Sequence, residues 1–163
     1  MGGALVSNTG PLVALAVIDR LDLLHCLFDE VIVPEAVHFE LLEGGAKQAG
    51  VAAYRQAHWI KSRKLTEPHD PLLGSVLDTG EASVIQLARE RNIDCVLIDE
   101  RKGRQIAREI YGLQVIGSAR VLVEAKRQGY LDNVEKAIIA MRQHAYWLHE
   151  NIVAVILKKA GER

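Results

Sequence analysis

Residues 95–99 read CVLID, a run of apolar side chains that ends abruptly in a carboxylate. A short continuous apolar run, as opposed to an alternating one, suits a strand covered on both faces, as in the middle of a parallel sheet. The flanks support that reading. Before the run, EASVIQLARERN has helical spacing, and after it ERKGRQIAREIYG is an amphipathic helix closed by Gly112. The unit is therefore helix, buried strand, helix. Similar units recur outward in both directions, with strands expected near 4–7 (ALVS), 30–33 (EVIVP), 58–61 (HWIKSRKL), 95–98 and 114–116 (LQVIGS). Such alternation predicts an α/β fold with a parallel sheet, helices on both faces and right-handed crossovers.

The connecting segments carry their own signals. LVALAVIDRLDLLHCLF, after Gly10-Pro11, reads as one helix-like stretch, and PEAVHFELLEGG as a helix with Val37, Leu41 and Leu42 on one face and a Gly-Gly stop. AKQAGVAAYRQAH reads as a further helix, whereas TEPHDPLLG, punctuated by two prolines, reads as a loop. Asp78 or Thr79 is the expected N-cap of the helix that holds Glu81 in its first turn. SARVLVEAKRQG is a helix, and NVEKAIIAMRQH and HENIVAVILKKAG add two more at the C-terminal end.

At 163 residues, with 49% hydrophobic and 25% charged residues, the chain has the composition of a single globular domain over 1–163 with a sizeable core. A formal net charge of −1 exerts no global pull on polyanions, so any nucleic acid would have to be met by a local basic patch. Cys26 and Cys95 sit in apolar runs and read as buried free thiols. There is no basic-then-apolar leader and no apolar stretch of about 18 residues, so a cytoplasmic protein without membrane association is expected.

Four oxygen-bearing side chains end or follow the apolar runs: Asn8, Glu40, Glu81 and Asp99. In a doubly wound sheet, sites form at the carboxyl ends of strands near a topological switch point. Asn8 follows the first strand and Asp99 the fourth, while Glu40 and Glu81 lie on helices that can face that edge. Each has an ordinary reading alone. Glu81 complements a helix dipole, Glu40 could face solvent, and Asp99 and Asn8 could cap helices. Carboxylates that converge, however, repel one another unless a cation or shared proton compensates. An all-oxygen set suits Mg²⁺ or Mn²⁺ better than zinc. Competing chemistries lack their motifs. The chain has no GxxxxGK[ST], no GxGxxG after the first strand, no GxSxG, and no HExxH among its six histidines. Positive charge gathers at Arg101, Lys102, Arg104 and Arg108, directly after Asp99, and at Lys61, Arg63 and Lys64 beside Trp59. Adjacency to the acidic edge makes the first cluster a candidate phosphate contact.

SNTGPLVALAVIDRLDLL, VPEAVHFELLEGG, LDTGEASVIQLA and VLIDERKGRQIA, in that order and spacing, resemble the PIN-domain superfamily. The closest likeness is to a prokaryotic PIN-like subgroup, whose C-terminal helix AYWLHENIVAVILKKAGE also resembles. Relatives include the VapC-type toxin ribonucleases of toxin–antitoxin modules. The resemblance implies a three-layer α/β/α sandwich and an acidic pocket that binds Mg²⁺ or Mn²⁺ and hydrolyses RNA phosphodiesters. By position, Asn8 stands where the family usually has its first aspartate, with Thr9 as the neighbouring hydroxyl. Glu40 falls at the second acidic position, Glu81 at the third, and Asp99 or Glu100 at the fourth. Glu40, Glu81 and Asp99 are thus the expected catalytic acids and, with Asn8 and Glu100, the expected metal ligands. Thr9, Arg101, Lys102 and Arg104 are the expected substrate contacts. RNA, a small antitoxin protein and further copies of the chain are the expected partners. Asn8 departs from the pattern: its amide oxygen can ligate, but the site loses one negative charge. A binding module that grips RNA or protein without cutting is the competing expectation.

Overall fold

A computed structural model of the chain describes residues 1–43 and 48–163. Five strands, β1 (Ala4–Ser7), β2 (Glu30–Pro34), β3 (Ile60–Arg63), β4 (Cys95–Leu97) and β5 (Gln114–Ile116), form one sheet in the order β3-β2-β1-β4-β5. All four pairings are parallel. The burial explains the apolar runs: Leu5, Val6, Ile32, Val33, Val96 and Leu97 are all fully buried, and burying each such side chain contributes roughly 1.5–3 kcal/mol.

Among the described residues, ten helices connect and flank the strands: α1 (Thr9–Val17), α2 (Asp22–Leu27), α3 (Glu35–Glu43), α4 (Gln48–Gln56), α5 (Pro71–Val76), α6 (Thr79–Glu90), α7 (Arg101–Glu109), α8 (Ser118–Arg127), α9 (Val134–Gln143) and α10 (Glu150–Lys159). On one face α1 packs on α4 and α8, and α2 on α8. On the other, α6 packs against β1, β2 and β4, and α7 against β5. This is a three-layer α/β/α sandwich, with α9 and α10 added against α8. The chain runs outward from β1 to β2 and β3, then returns to the other side of β1 for β4. That reversal places the switch point between β1 and β4.

Four expectations change. The stretch 12–28 is two helices, not one: Asp19 adopts a left-handed conformation (φ 58°), which a short polar residue tolerates, and the Arg20 amide turns back to the Leu15 carbonyl at 2.9 Å. Residues 71–76 are helical instead of loop, because Pro71 occupies the first helical position and Asp70 caps it, accepting from the Leu72 amide at 2.9 Å. The third strand starts at Ile60, not at 58, since the Ile60 amide closes a turn onto the Ala57 carbonyl and Trp59 stacks on His25. The cysteines are free thiols as expected but are not buried: Cys26 lies exposed on the outer side of α2, whose inner face is Leu23, Leu24 and Leu27, and Cys95 is half-buried. The Gly44-Gly45 stop lies outside the described residues.

Candidate functional site

The carboxyl ends of β1 and β4 are stitched together one residue beyond their ladder, where the Asn8 amide donates to the Leu97 carbonyl at 3.0 Å. Asn8 is the N-cap residue of α1, yet its side chain makes no capping hydrogen bond. An N-cap asparagine ordinarily bonds the helix's first free amides; here the side chain is turned elsewhere. Its Oδ1 points to Gly80, at the start of α6. A Cβ built at Gly80 would lie 3.1 Å from Glu40 Oε2 and 3.5 Å from both Asn8 Oδ1 and Asp78 Oδ1. Glycine therefore keeps open a small cradle bounded by three oxygens, one from the end of β1, one from α3 and one from the cap of α6.

Neighbouring groups hold this cradle in shape. The Thr9 hydroxyl donates to Glu40 Oε2 at 3.0 Å, which fixes that carboxylate from below. Asp78 caps α6, its Oδ1 accepting from the Glu81 amide at 2.8 Å. Glu81 itself reaches toward α7: a Cβ on Gly103 would stand 3.2 Å from Glu81 Oε2. Burial pushes the Glu81 carboxyl up to about 7, and the hydrogen bond and charge of Asp78, with the charges of Glu100 and Glu40, push in the same direction. Glu100 is the N-cap residue of α7 and, like Asn8, makes no side-chain capping bond. Asn8, Glu40 and Glu81 thus gather at one edge of the sheet, with the charge of Glu100 acting on Glu81.

Asp99 is differently engaged. Its Oδ1 accepts from the Ser118 amide at 2.8 Å, at the first turn of α8, and its Oδ2 accepts from the Tyr146 hydroxyl. Ser118's amide is one of the orphan donors of a helix start, and Gly117, the N-cap residue, has no side chain to satisfy it. A Cβ on Gly117 would come within 2.8 Å of Asp99 Oδ1 and 2.9 Å of Arg104 Nη1. Arg104, expected to meet substrate, is half-buried and donates to the Ile98 carbonyl at 2.8 Å. Asp99 thereby clasps the end of β4 to α8 and the C-terminal segment, and Arg104 ties α7 back to the end of β4. Thr9 spends its hydroxyl on Glu40, whereas Arg101 and Lys102 are exposed at the start of α7.

Two residues of this constellation were not singled out as site residues from the sequence. Asp78 looked like a cap and nothing more, although its position three residues before Glu81 puts both on the same helix start. Tyr146 lies 47 positions from Asp99 along the chain, and no local pattern connects them. Its burial, and the charge of Asp99 beside it, push the phenol well above its usual range.

The donor set is entirely oxygen, which suits a hard divalent cation. Among the described residues, no three His, Cys, Asp or Glu side chains are arranged to hold an ion unaided. Mg²⁺ asks for less than that, since it keeps several waters and takes one or two carboxylates. The Gly80 cradle, with an acid held near 7 beside it, fits such a hydrated ion. Next to the cradle, starting from Asn8 and Glu100, runs a groove of about 1150 Å³ between α7, α8 and α10.

A doubly wound sheet with an all-oxygen acidic cluster at its switch point defines a class of α/β protein. Within it, the chain belongs to the PIN-domain family, whose model matches residues 4–162. That family has a nuclease-type fold and is generally dependent on divalent metal. Searches of the curated proteins and of the solved structures returned no match. Among the described residues, no helix is long and apolar enough to cross a membrane.

Proposed function

We propose that this chain is a Mg²⁺- or Mn²⁺-dependent ribonuclease. The observation that carries the proposal is the cradle at Gly80, where oxygens of Asn8, Glu40 and Asp78 surround a space that any side chain would fill. Asn8, Glu40 and Asp78 would hold the ion, with Glu81 and Glu100 completing its acidic surroundings. Of the two candidates for the fourth acidic position, Asp99 and Glu100, this reading takes Glu100, and two observations support it: Glu100 acts on Glu81, while both oxygens of Asp99 accept from Ser118 and Tyr146. When bound, a divalent cation neutralises charge on the scissile phosphate and helps activate the attacking water. Thr9 keeps Glu40 oriented, and the exposed guanidinium of Arg101, at the groove mouth beside Glu100, would receive a neighbouring phosphate.

The second reading is a PIN-like module that binds RNA or protein without cutting, and the neutral Asn8 is the observation in its favour. Service as the toxin of a two-gene module, inhibited by a small antitoxin, and self-association into a homo-oligomer are extensions of the first reading. Both readings meet in one experiment: incubation of single-stranded RNA with the protein in Mn²⁺, with Glu81→Gln as the control. Cleavage by the natural chain that Glu81→Gln abolishes supports the nuclease. Metal-independent RNA binding without cleavage supports the module.

A further inference from the structure

The groove that starts at Asn8 and Glu100 has two unlike walls. One is mostly basic, with Arg101 and Arg108 on α7 and Arg120, paired with Glu124 at 3.2 Å, on α8, and Glu109 as the acid among them. The other is apolar and belongs to the C-terminal segment, where Trp147, Ile152 and Val155 line the same groove and are 70%, 48% and 53% exposed. A lone exposed apolar side chain is ordinary, but three lining one groove wall make a patch of the kind that marks an interaction site. The connector between α9 and α10 is pinned from below by Tyr146, whose hydroxyl donates to Asp99, and turned by Ala145 at φ 62°. Arg142 backs the indole, 5.7 Å from its ring centroid, and is itself held by Glu150 at 2.8 Å and the Leu148 carbonyl at 3.2 Å.

We propose that Trp147 is a base-stacking platform, on which one unpaired base of a single-stranded nucleic acid lies while its phosphates follow the arginines of α7 and α8. The ligand that matches both walls must be anionic along one side and offer flat apolar groups along the other. A single strand does both. In a duplex the bases are stacked on each other and withdrawn from the ring. Placement of the platform in the groove that begins at Asn8 and Glu100 ties base capture to the site of cleavage, so this inference rests on the ribonuclease reading and deepens it. Tyr146 is a positioning residue here, acting through the connector that presents Trp147.

The test uses the full chain in EDTA and three labelled probes of equal length: a single-stranded RNA, an abasic ribose-phosphate strand and a duplex RNA. Anisotropy gives the affinities. The chain's only other tryptophan, Trp59, is stacked on His25, so indole fluorescence reports Trp147 by difference. The natural protein should bind the single strand more tightly than the abasic strand or the duplex, with quenching of indole emission. Trp147→Ala should weaken single-strand binding about tenfold and erase the preference over the abasic strand. Trp147→Phe should keep most of both, and Arg108→Ala should weaken all three probes and flatten their salt dependence. Equal binding of base-bearing and abasic strands, or unchanged affinity in Trp147→Ala, overturns the platform. So does a dimer that Trp147→Ala dissociates, since the apolar wall is then a protein interface. Cleavage in Mn²⁺, assayed separately, distinguishes the two failures: a protein that cuts RNA but is indifferent to Trp147 loses only the platform.

Discussion

At the scale of single residues, Glu81 is the most informative titrating group. Its carboxyl is held at about 7, against 4.5 when unperturbed, so the folded chain binds this proton more tightly than the unfolded chain does. The stability it confers is fully present below 4.5 and is lost as pH rises through about 7. Melting in EDTA should accordingly show a fall across that interval that Glu81→Gln removes, and Mn²⁺ should restore stability at the alkaline end. A Glu81→Gln melting curve that parallels the natural one over the interval would exclude the cluster as the cause. Gly80→Ala tests the cradle more narrowly. Alanine is the better helix former, so the apo fold should hold or gain slightly, while the added methyl, 3.1 Å from Glu40 Oε2, should cancel the Mn²⁺-dependent rise in melting temperature. Persistence of that rise in Gly80→Ala would place the metal elsewhere.

At the scale of elements, the clasp of Asp99 joins the end of β4 to the N-terminus of α8 and to the connector before α10. Tyr146→Phe removes one buried hydrogen bond to a charged group, worth about 1.5–3 kcal/mol when fully buried and less here, where the ring is not fully enclosed. It should lower the melting temperature by a few degrees and leave Mn²⁺ stabilisation intact. Loss of metal response in Tyr146→Phe would return Asp99 to the metal site. This is also the scale at which sequence and structure part company. CVLID and EVIVP announced buried parallel strands because both faces of each are covered, and the Asp78-Thr79-Gly80-Glu81 start was legible because capping is local. The α5 helix was missed because Asp70-Pro71 signals a helix start as readily as a turn. Asp19 broke the first helix without any glycine or proline to mark the place. The role of Asp99 was hidden for a different reason: its partners are distant in the chain, and only tertiary packing decides which of two adjacent acids faces the cluster.

At the scale of the whole molecule, the order β3-β2-β1-β4-β5 gathers Asn8, Glu40, Asp78, Glu81 and Glu100 from four separate segments to one edge. For Asn8, Glu40 and Glu81 a common edge was expected from the strand–helix alternation, since a doubly wound sheet places its switch point there; Asp78 was not expected in the group, and Asp99 was. In the proposed nuclease, the neutral Asn8 leaves the metal site one negative charge short. Asn8→Asp restores one charge with almost no change of size, so it separates electrostatics from packing. Metal affinity and cleavage should rise by roughly ten- to a hundredfold. The most direct measurement is cleavage of single-stranded RNA in Mn²⁺ by the natural protein, by Asn8→Asp, and by Asn8→Asp combined with Glu81→Gln. The expected order is weak cleavage in the natural chain, strong cleavage in Asn8→Asp and none in the double variant. Cleavage that survives loss of Glu81, or a folded Asn8→Asp protein that cuts no RNA in Mn²⁺, would contradict a metal-dependent nuclease site around Gly80.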